Sequence, residues 1–411
     1  MNMEPELEAP KTPTSDYSSS IDTTTPRQLM VLNIVFALIG IGYLFPFSAL
    51  TQPVDYWKKV FPSYNIEFSI TCIYLYSNLL ALGLVVAFGP TKVSYTRRIV
   101  GGFAGQFIAL VFVPLAYHLF EVETVHMAAV LAATAFAAIA TAFLDSCVMS
   151  LVAKYPVQAQ ASLQFGIGLS ILIGSVYRDF TKLLFSAESV VASSALYFFT
   201  GAVTVGICIA SYFVLQRLPV PVSAKDANDD YAEAHEAALT APNRWTVLRK
   251  CAKNQLIVAV HFMTSLSVWP PLVTEMKSYN CPELQANGWW PLILLTVFSI
   301  MDCIGRLNVH RRFGLTKDTV WKPVFARILL VPCIVLSVRG IWFTHDAWSI
   351  LFVLLLGGSN GYLGSLSILF VNDSVQGDEQ PVAGSFTGFV LNAGLVLGST
   401  IGFGFSHLVH H

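Results

Sequence analysis

Long apolar stretches recur along almost the whole chain and are separated by short polar segments. A helix needs about 20 mostly apolar residues to cross the hydrocarbon core of a bilayer. By this criterion the pattern predicts eleven membrane-spanning helices, numbered here as spans 1 to 11. Their predicted bounds are 29–51, 68–89, 99–120, 126–153, 161–177, 192–215, 254–273, 288–307, 323–344, 348–371 and 382–409. Span 5 is predicted to be short, because Tyr177, Arg178 and Asp179 interrupt its apolar run.

Two polar stretches lie outside this pattern. Residues 1–28 are rich in Ser and Thr, a composition that cannot bury a core, and we expect a disordered tail. Residues 216–253 form the only long polar segment between spans, and a loop of that length is unusual inside one compact domain. The segment therefore predicts a linker between an N-terminal six-helix bundle, 29–215, and a C-terminal five-helix bundle, 254–411.

The composition agrees with an integral membrane protein. Of the 411 residues 55% are hydrophobic and 12% are charged, and the mean hydropathy is +0.61. A soluble globular chain carries about 25% charged residues. The formal net charge of −1 gives no basic field for a nucleic-acid polymer, which is excluded as a partner. The seven cysteines include no C-x-x-C pair, so neither a disulfide framework nor a metal site is indicated.

The distribution of Lys and Arg predicts the orientation, because these residues are retained on the cytoplasmic side. If the N-terminus is cytoplasmic, sixteen Lys and Arg fall in cytoplasmic segments and six in outer segments. The tail and the 216–253 linker are then cytoplasmic. With eleven spans, the C-terminus is predicted to be extracellular.

Span 8 contains a charge pair at predicted membrane depth, Asp302 and Arg306. A spacing of four places both on one helical face, with the acid before the base as such pairs prefer. One interpretation is that the pair faces a water-filled cavity, where it binds a polar substrate or holds a gate. The other is an intrahelical salt bridge that only fixes the fold. We favour the first, because a buried charge pair is a poor device for stability.

Asp145 in span 4 has no basic residue within one turn. It is a candidate proton-coupling carboxylate, and the alternative is a structural partner for a cation such as Lys154 or Arg178. His261 in span 7 is more typical of a satisfied interior histidine than of a proton relay. In span 11 the run Gly394-x3-Gly398-x3-Gly402 places small residues on one face and predicts close helix packing.

Motifs of other chemistries are absent from the sequence, including the H-E-x-x-H, phosphate-loop and G-x-S-x-G patterns. We therefore predict neither an enzyme nor a bound cofactor. A receptor or a lipid-embedded enzyme on a polytopic scaffold stays an alternative. A solute carrier that rocks two bundles about a midplane site explains more of the features.

Several segments together resemble the equilibrative nucleoside transporter family. The resemblance extends over spans 1 to 11 and is sharper in the C-terminal half. It rests on Ser359-Asn360-Gly361-Tyr362-Leu363 in span 10, Ala383-Gly384 at the start of span 11, Asp302-x3-Arg306 in span 8, Pro271 to Ser278 after span 7, Arg327-x4-Pro332 in span 9 and Leu44-Phe-Pro46-Phe47 in span 1. The resemblance implies a major-facilitator-like fold, the same orientation and the plasma membrane as the usual location.

The resemblance also implies the residues of a substrate site. Asp302 and Arg306 would contact the ribose of a nucleoside, and Phe47, where the family usually has Trp, would stack on a base. Thr51 would line the same wall, and Leu391 would supply an apolar contact.

Three positions depart from the family pattern towards shorter polar side chains. Ser48 and Ser299 stand where many members have Asn, and Thr141 stands where many have Gln. These departures indicate altered base selectivity. They leave open whether the substrate is a nucleoside or a nucleobase.

These features predict an all-α polytopic membrane protein with eleven helices in a six-plus-five, major-facilitator-like arrangement. Its predicted function is transport of nucleosides by alternating access, most simply without coupling to an ion. Transport of nucleobases and proton-coupled symport through Asp145 are the alternatives within this class. The oligomeric state and the preference between purines and pyrimidines are left open.

Overall fold

The computed structural model describes residues 25–64, 66–88, 94–152, 155–186, 189–218 and 243–410. Within them, eleven helical segments are long and apolar enough to cross a membrane, which confirms the predicted number. Spans 1 to 11 are Pro26–Thr51, Ile66–Val85, Tyr95–Leu119, Glu123–Val152, Val157–Leu184, Val190–Arg217, Arg244–Glu275, Trp289–His310, Trp321–Val338, Asp346–Asn372 and Gln380–Phe405. The predictions for residues 1–24 and for the middle of the linker, 219–242, fall outside the described residues.

Four spans are built from more than one helical piece. These pieces are Glu123–Asp145 and Val148–Val152 in span 4, Arg244–Leu266 and Pro271–Glu275 in span 7, Trp289–Leu307 and the 3-10 turn Asn308–His310 in span 8, and Trp321–Ala326, Arg327–Leu329 and Leu330–Val338 in span 9. The helices of spans 2 and 11 continue beyond the span, to Phe88 and His410. Among the described residues, three short helices lie outside the spans, at Val54–Val60, Pro282–Ala286 and Gly377–Glu379.

The spans pack as two bundles. In the first bundle span 1 lies against spans 5 and 6, and span 4 lies against spans 2 and 3. In the second bundle span 10 lies against spans 7 and 8, and span 7 also lies along span 11. The bundles meet along two lines. In the first, which we call the 5/8 seam, span 5 packs on span 8 and also contacts span 10. In the second, which we call the 2/11 seam, span 11 packs on span 2 and on the second piece of span 4. The side of the molecule where span 1 begins is called the N-side below.

The glycine run of span 11 has the predicted packing role. A Cβ on Gly394 would lie 2.5 Å from the carbonyl oxygen of Ala259, and one on Gly402 would lie 2.8 Å from that of Ser267. Both carbonyls belong to span 7 or its end. The two backbones therefore approach as closely as the small-residue pattern predicts.

Span 5 is longer than predicted, Val157–Leu184 against 161–177, because Arg178 does not interrupt it. The Arg178 guanidinium is buried and binds Asp55 through two hydrogen bonds, Nε to Oδ1 at 2.9 Å and Nη2 to Oδ2 at 2.6 Å. Burial alone would raise the pKa of Asp55, but the bond and charge of Arg178 outweigh it and hold that pKa below its ordinary value. A paired cation at the helix end is compatible with a continuous span.

Span 7 begins at Arg244, ten residues before the predicted 254. Asn243 caps it, since its side chain accepts a hydrogen bond from the backbone N–H of Trp245 at 3.0 Å. The criterion of an apolar stretch excluded residues 244–253 from the predicted span, because several of them are basic. In the structure these basic residues lie on the first turns of the helix. One of them, Lys250, pairs with Glu379.

Candidate functional site

A cavity lies between the two bundles. It is lined mainly by apolar and aromatic side chains with a few polar groups among them, which is the usual character of a small-molecule site. Its lining comes from spans 1, 2, 4 and 5 of the first bundle and spans 7, 8, 10 and 11 of the second. The cavity is thus positioned where a relative movement of the bundles would change its access.

Five of the eight residues predicted for the site line this cavity, namely Phe47, Thr141, Asp145, Arg306 and Leu391. The other three, Thr51, Ser299 and Asp302, lie behind its surface. Thr51 was expected to line the wall, but its hydroxyl donates to the carbonyl oxygen of Phe47 at 2.9 Å within its own helix. Ser299 shares a hydrogen bond of 2.9 Å with Ser175 across the 5/8 seam. In this structure Thr51 and Ser299 therefore lie in supporting positions behind the wall.

Asp302 and Arg306 form the predicted pair, and the pair is buried. Arg306 Nε donates to Asp302 Oδ2 at 2.8 Å, and Asn360 Nδ2 donates to Oδ1 of the same carboxylate at 2.6 Å. Arg306 Nη1 also donates to Gln164 Oε1 of span 5, at 3.1 Å. Gly168 makes room for this side chain, since a Cβ there would lie 2.5 Å from Cδ of Arg306. Asp302 therefore orients Arg306 from behind, and Arg306 faces the cavity.

A second buried arginine supports this pair from span 9. Arg327 Nη1 donates to the Ser265 hydroxyl at 2.7 Å, and that hydroxyl donates to Asn360 Oδ1 at 2.6 Å. His261 is fully buried beside them, with Nε2 at 3.2 Å from the carbonyl oxygen of Asn360. His261 does not line the cavity. This geometry favours a structural role for His261, as a hydrogen-bonded interior histidine, over a role as a proton relay.

Asp145 lies at the other lateral wall, next to the 2/11 seam. Its Oδ2 accepts hydrogen bonds from Asn78 Nδ2 at 2.8 Å and from Asn392 Nδ2 at 3.2 Å. Among the described residues no Lys or Arg forms an ion pair with it. The proposed partnership with Arg178 is wrong, because Arg178 binds Asp55, and Lys154 falls outside the described residues.

Aromatic side chains close the cavity on the side away from the N-side. Trp269 lies in the break between the two pieces of span 7 and stacks on Phe298, with ring centroids 4.7 Å apart and an interplanar angle of 19°. The ring centroid of Phe47 lies 6.5 Å from that of Trp269 and 5.1 Å from that of Tyr74. The predicted aromatic wall at Phe47 is therefore part of a larger aromatic surface contributed by both bundles.

Hydrogen bonds join the two bundles at both ends of the 5/8 seam. On the N-side, Asn372 Nδ2 donates to Gln160 Oε1 at 2.9 Å. On the opposite side, the Thr296 hydroxyl donates to Asp179 Oδ2 at 2.6 Å, and Lys182 Nζ donates to the carbonyl oxygen of Gly288 at 3.0 Å. Span 5 is therefore bonded to the second bundle on both sides of the cavity.

Several cavity residues were not predicted from the sequence, chiefly Asn78, Gln164, Trp269, Asn360 and Asn392. Four of them are amides within apolar spans. Asp145 was noticed because a polar group in a span needs a reason. The same criterion, extended to uncharged amides, would have found these four residues. Trp269 precedes Pro270-Pro271, and no local pattern indicated that the break would direct its ring inward.

The sequence is similar to those of known nucleoside and nucleotide transporters. Residues 127–407 match a family described as Nucleoside transporter. Equilibrative nucleotide transporter 8 of Arabidopsis thaliana is 26% identical over 382 residues, which cover 90% of this chain and 94% of that protein. Equilibrative nucleoside transporter 4 of Homo sapiens is 21% identical over 445 residues, covering 90% of this chain and 82% of that protein.

Solved structures show the same fold at low sequence identity. A proton:xylose symporter of the major facilitator superfamily, bound to 6-bromo-6-deoxy-D-glucose, aligns with a TM-score of 0.64 and 11% identity. The alignment covers 94% of this chain and 90% of that chain. At this identity the likeness concerns the fold alone, and it confirms the predicted major-facilitator-like arrangement.

Proposed function

The chain belongs to the equilibrative nucleoside transporter family, and on that premise we propose that it carries nucleosides across a membrane by facilitated diffusion. The observation that carries this conclusion is the family match over residues 127–407, which includes most of the cavity-lining spans. A cavity between two bundles, lined by aromatic rings and a few polar side chains, suits a small solute that has an aromatic part and a polar part.

Alternating access explains why the cavity lies between the bundles. The solute would enter when the contacts of the 5/8 seam on one side open, and leave when those on the other side open. The bonds Gln160–Asn372 and Asp179–Thr296 are the contacts that would alternate. A uniporter of this kind needs no bound ion, because the solute gradient alone drives net movement.

We assign the two ends of the substrate from the chemistry of the walls. The Arg306 guanidinium, oriented by Asp302, presents N–H donors to the cavity and suits the ribose hydroxyls. Phe47 and Trp269 present ring faces that suit a base. Thr141 and Leu391 complete the wall near Asp145. Thr51 and Ser299 support the wall from behind rather than touch the solute.

Proton-coupled symport is the second candidate, and the observation that favours it is the position of Asp145. This carboxylate lines the cavity and has no cationic partner among the described residues. Proton coupling would require it to bind and release a proton between the two open states.

The proposed orientation places the N-side in the cytoplasm and the C-terminus outside, in the plasma membrane. The excess of Lys and Arg in the predicted N-side segments supports it. An epitope tag added after His411 should be labelled on intact cells. Labelling only after permeabilisation would contradict this orientation.

The function is tested by uptake of radiolabelled adenosine, uridine and hypoxanthine in a host that lacks its own transporters. We expect saturable uptake of a nucleoside that depends on expression of the protein. Uptake of hypoxanthine alone would identify a nucleobase carrier. No uptake of any of the three would support the alternatives of a receptor or a lipid-embedded enzyme.

A further inference from the structure

Two cavity-lining side chains have polar atoms whose hydrogen-bonding capacity is unmet among the described residues. Asn78 Oδ1 has no donor, and Trp269 Nε1 has no acceptor. Both side chains are more than nine-tenths buried, at 1% and 4% exposed. Buried polar groups in native proteins are normally satisfied, and because both residues line the cavity, a bound solute is a candidate partner for these atoms.

The orientation of the Asn78 amide is fixed by its neighbours. Its Nδ2 donates to Asp145 Oδ2 at 2.8 Å and to the carbonyl oxygen of Ala138 at 3.2 Å. Both acceptors would be lost if the amide turned over, so the oxygen remains the unmet atom. Asn392 Nδ2 donates to the same Asp145 oxygen at 3.2 Å and holds the carboxylate from span 11.

Arg306 and Asn78, which lie on the two lateral walls of the cavity, therefore offer opposite hydrogen-bonding groups. At the 5/8 seam Arg306 can only donate, whereas at the 2/11 seam Asn78 Oδ1 can only accept. A ribose hydroxyl can accept from Arg306. An exocyclic amino group has two N–H donors and cannot pair with a guanidinium, but it pairs with an amide oxygen.

We propose that Asn78, positioned by Asp145, accepts a hydrogen bond from an exocyclic amino group of the nucleobase and so selects bases that carry one. This inference rests on the proposed nucleoside transport. Adenosine and cytidine provide the amino group, whereas inosine and uridine place a carbonyl oxygen at the corresponding position. An oxygen facing Asn78 Oδ1 leaves two buried acceptors without a donor.

The wild-type protein tests the selectivity directly. Uptake of labelled adenosine is measured in proteoliposomes in competition with unlabelled adenosine, inosine and purine riboside, which has neither the amino group nor the carbonyl. Uptake of cytidine is measured against uridine in the same way. We expect the amino compounds to bind roughly tenfold or more tightly, as for loss of one buried hydrogen bond. Equal affinities within both pairs would overturn the inference and leave nucleoside transport standing. No uptake of any nucleoside would instead overturn the proposed function.

Two variants test the assignment to residues. Asn78→Leu removes the acceptor at similar volume, and the adenosine-to-inosine ratio should fall towards one. Asp145→Asn offers a donor as well as an acceptor, so the Asn78 amide is free to turn and inosine should improve relative to adenosine. If Asn78 and Asp145 had only structural roles, both variants would reduce the uptake of adenosine and of inosine equally and leave the ratio unchanged.

Thr134→Val is the matched control. Thr134 lies on the same span as Asp145, and its hydroxyl donates to Val130 of its own helix. The ratio should stay at its wild-type value in this variant. A wild-type ratio in Asn78→Leu would refute the role of Asn78. If neither variant reaches the membrane, the wild-type comparison of adenosine with inosine still decides the selectivity.

Discussion

Neutralising one member of the Asp302–Arg306 pair should have a different effect from neutralising both. In Asp302→Asn the Arg306 guanidinium stays buried without its carboxylate, and in Arg306→Gln the carboxylate keeps only its bond from Asn360. The double variant Asp302→Asn/Arg306→Gln contains no unpaired charge at this position. Comparing the three separates a role in transport from a role in folding.

The expected magnitudes differ enough to be measured. Removing one partner of a buried ion pair costs about 3–5 kcal/mol of stability because it leaves a buried charge unpaired, whereas replacing both partners by uncharged groups leaves no such charge. A hydrogen bond from a charged donor to substrate contributes about 1.5–3 kcal/mol, which is roughly 10- to 150-fold in affinity. The double variant should therefore recover much of the lost stability and still lose at least about tenfold in uptake.

The assay combines three measurements on the same variants. Surface labelling gives the amount of protein in the membrane, thermal unfolding of the purified protein gives stability, and initial uptake of adenosine below saturation gives transport per molecule. We expect low stability in both single variants, near-wild-type stability in the double variant, and poor uptake in all three. Near-normal uptake by a stable double variant would refute the reasoning and identify the pair as a structural salt bridge.

Three further predictions concern coupling, stability and gating. For facilitated transport, uptake should be flat between about pH 5.5 and 7.5 and unaffected by a protonophore; acid-stimulated uptake that is lost in Asp145→Asn would identify proton coupling instead. Because the pKa of folded Asp55 lies below its ordinary 3.8, its ion pair stabilises the fold above that pH and the contribution is lost as the pH falls further. Asp55→Asn should thus lower the melting temperature at pH 7, with a difference that shrinks below about pH 4, and a difference independent of pH would contradict this. Cysteines at Gln160 and Asn372, joined by a short cleavable crosslinker, should hold the N-side closed and stop uptake until cleavage, and undiminished uptake by crosslinked protein would contradict this gate.

The sequence predicted the number of spans because hydrophobic length is a local property and the bilayer sets its scale. The ends were less accurate where a charge is neutralised by a residue far away in sequence. Span 5 continues through Arg178 only because Asp55, 123 positions earlier, supplies the counter-charge. No window of apolar residues contains that information.

In the site, too, contacts between residues distant in sequence could not be predicted from local patterns. The pairing of Asp302 with Arg306 was predictable because they lie four positions apart on one helix. The contacts of Asp145 with Asn78 and Asn392 were not, because they join residues of three different spans. Family resemblance indicated positions such as Phe47 and Leu391, but only packing decides which side chains reach the cavity.

The most direct test of nucleoside transport is counterflow in proteoliposomes that contain only the purified protein. Vesicles are loaded with unlabelled adenosine and diluted into a trace of labelled adenosine, without any ion gradient. Facilitative transport should produce transient accumulation of label above equilibrium, which is absent from vesicles without protein. Failure to accumulate adenosine, uridine or cytidine under these conditions, by protein that is folded and correctly inserted, would contradict facilitative nucleoside transport.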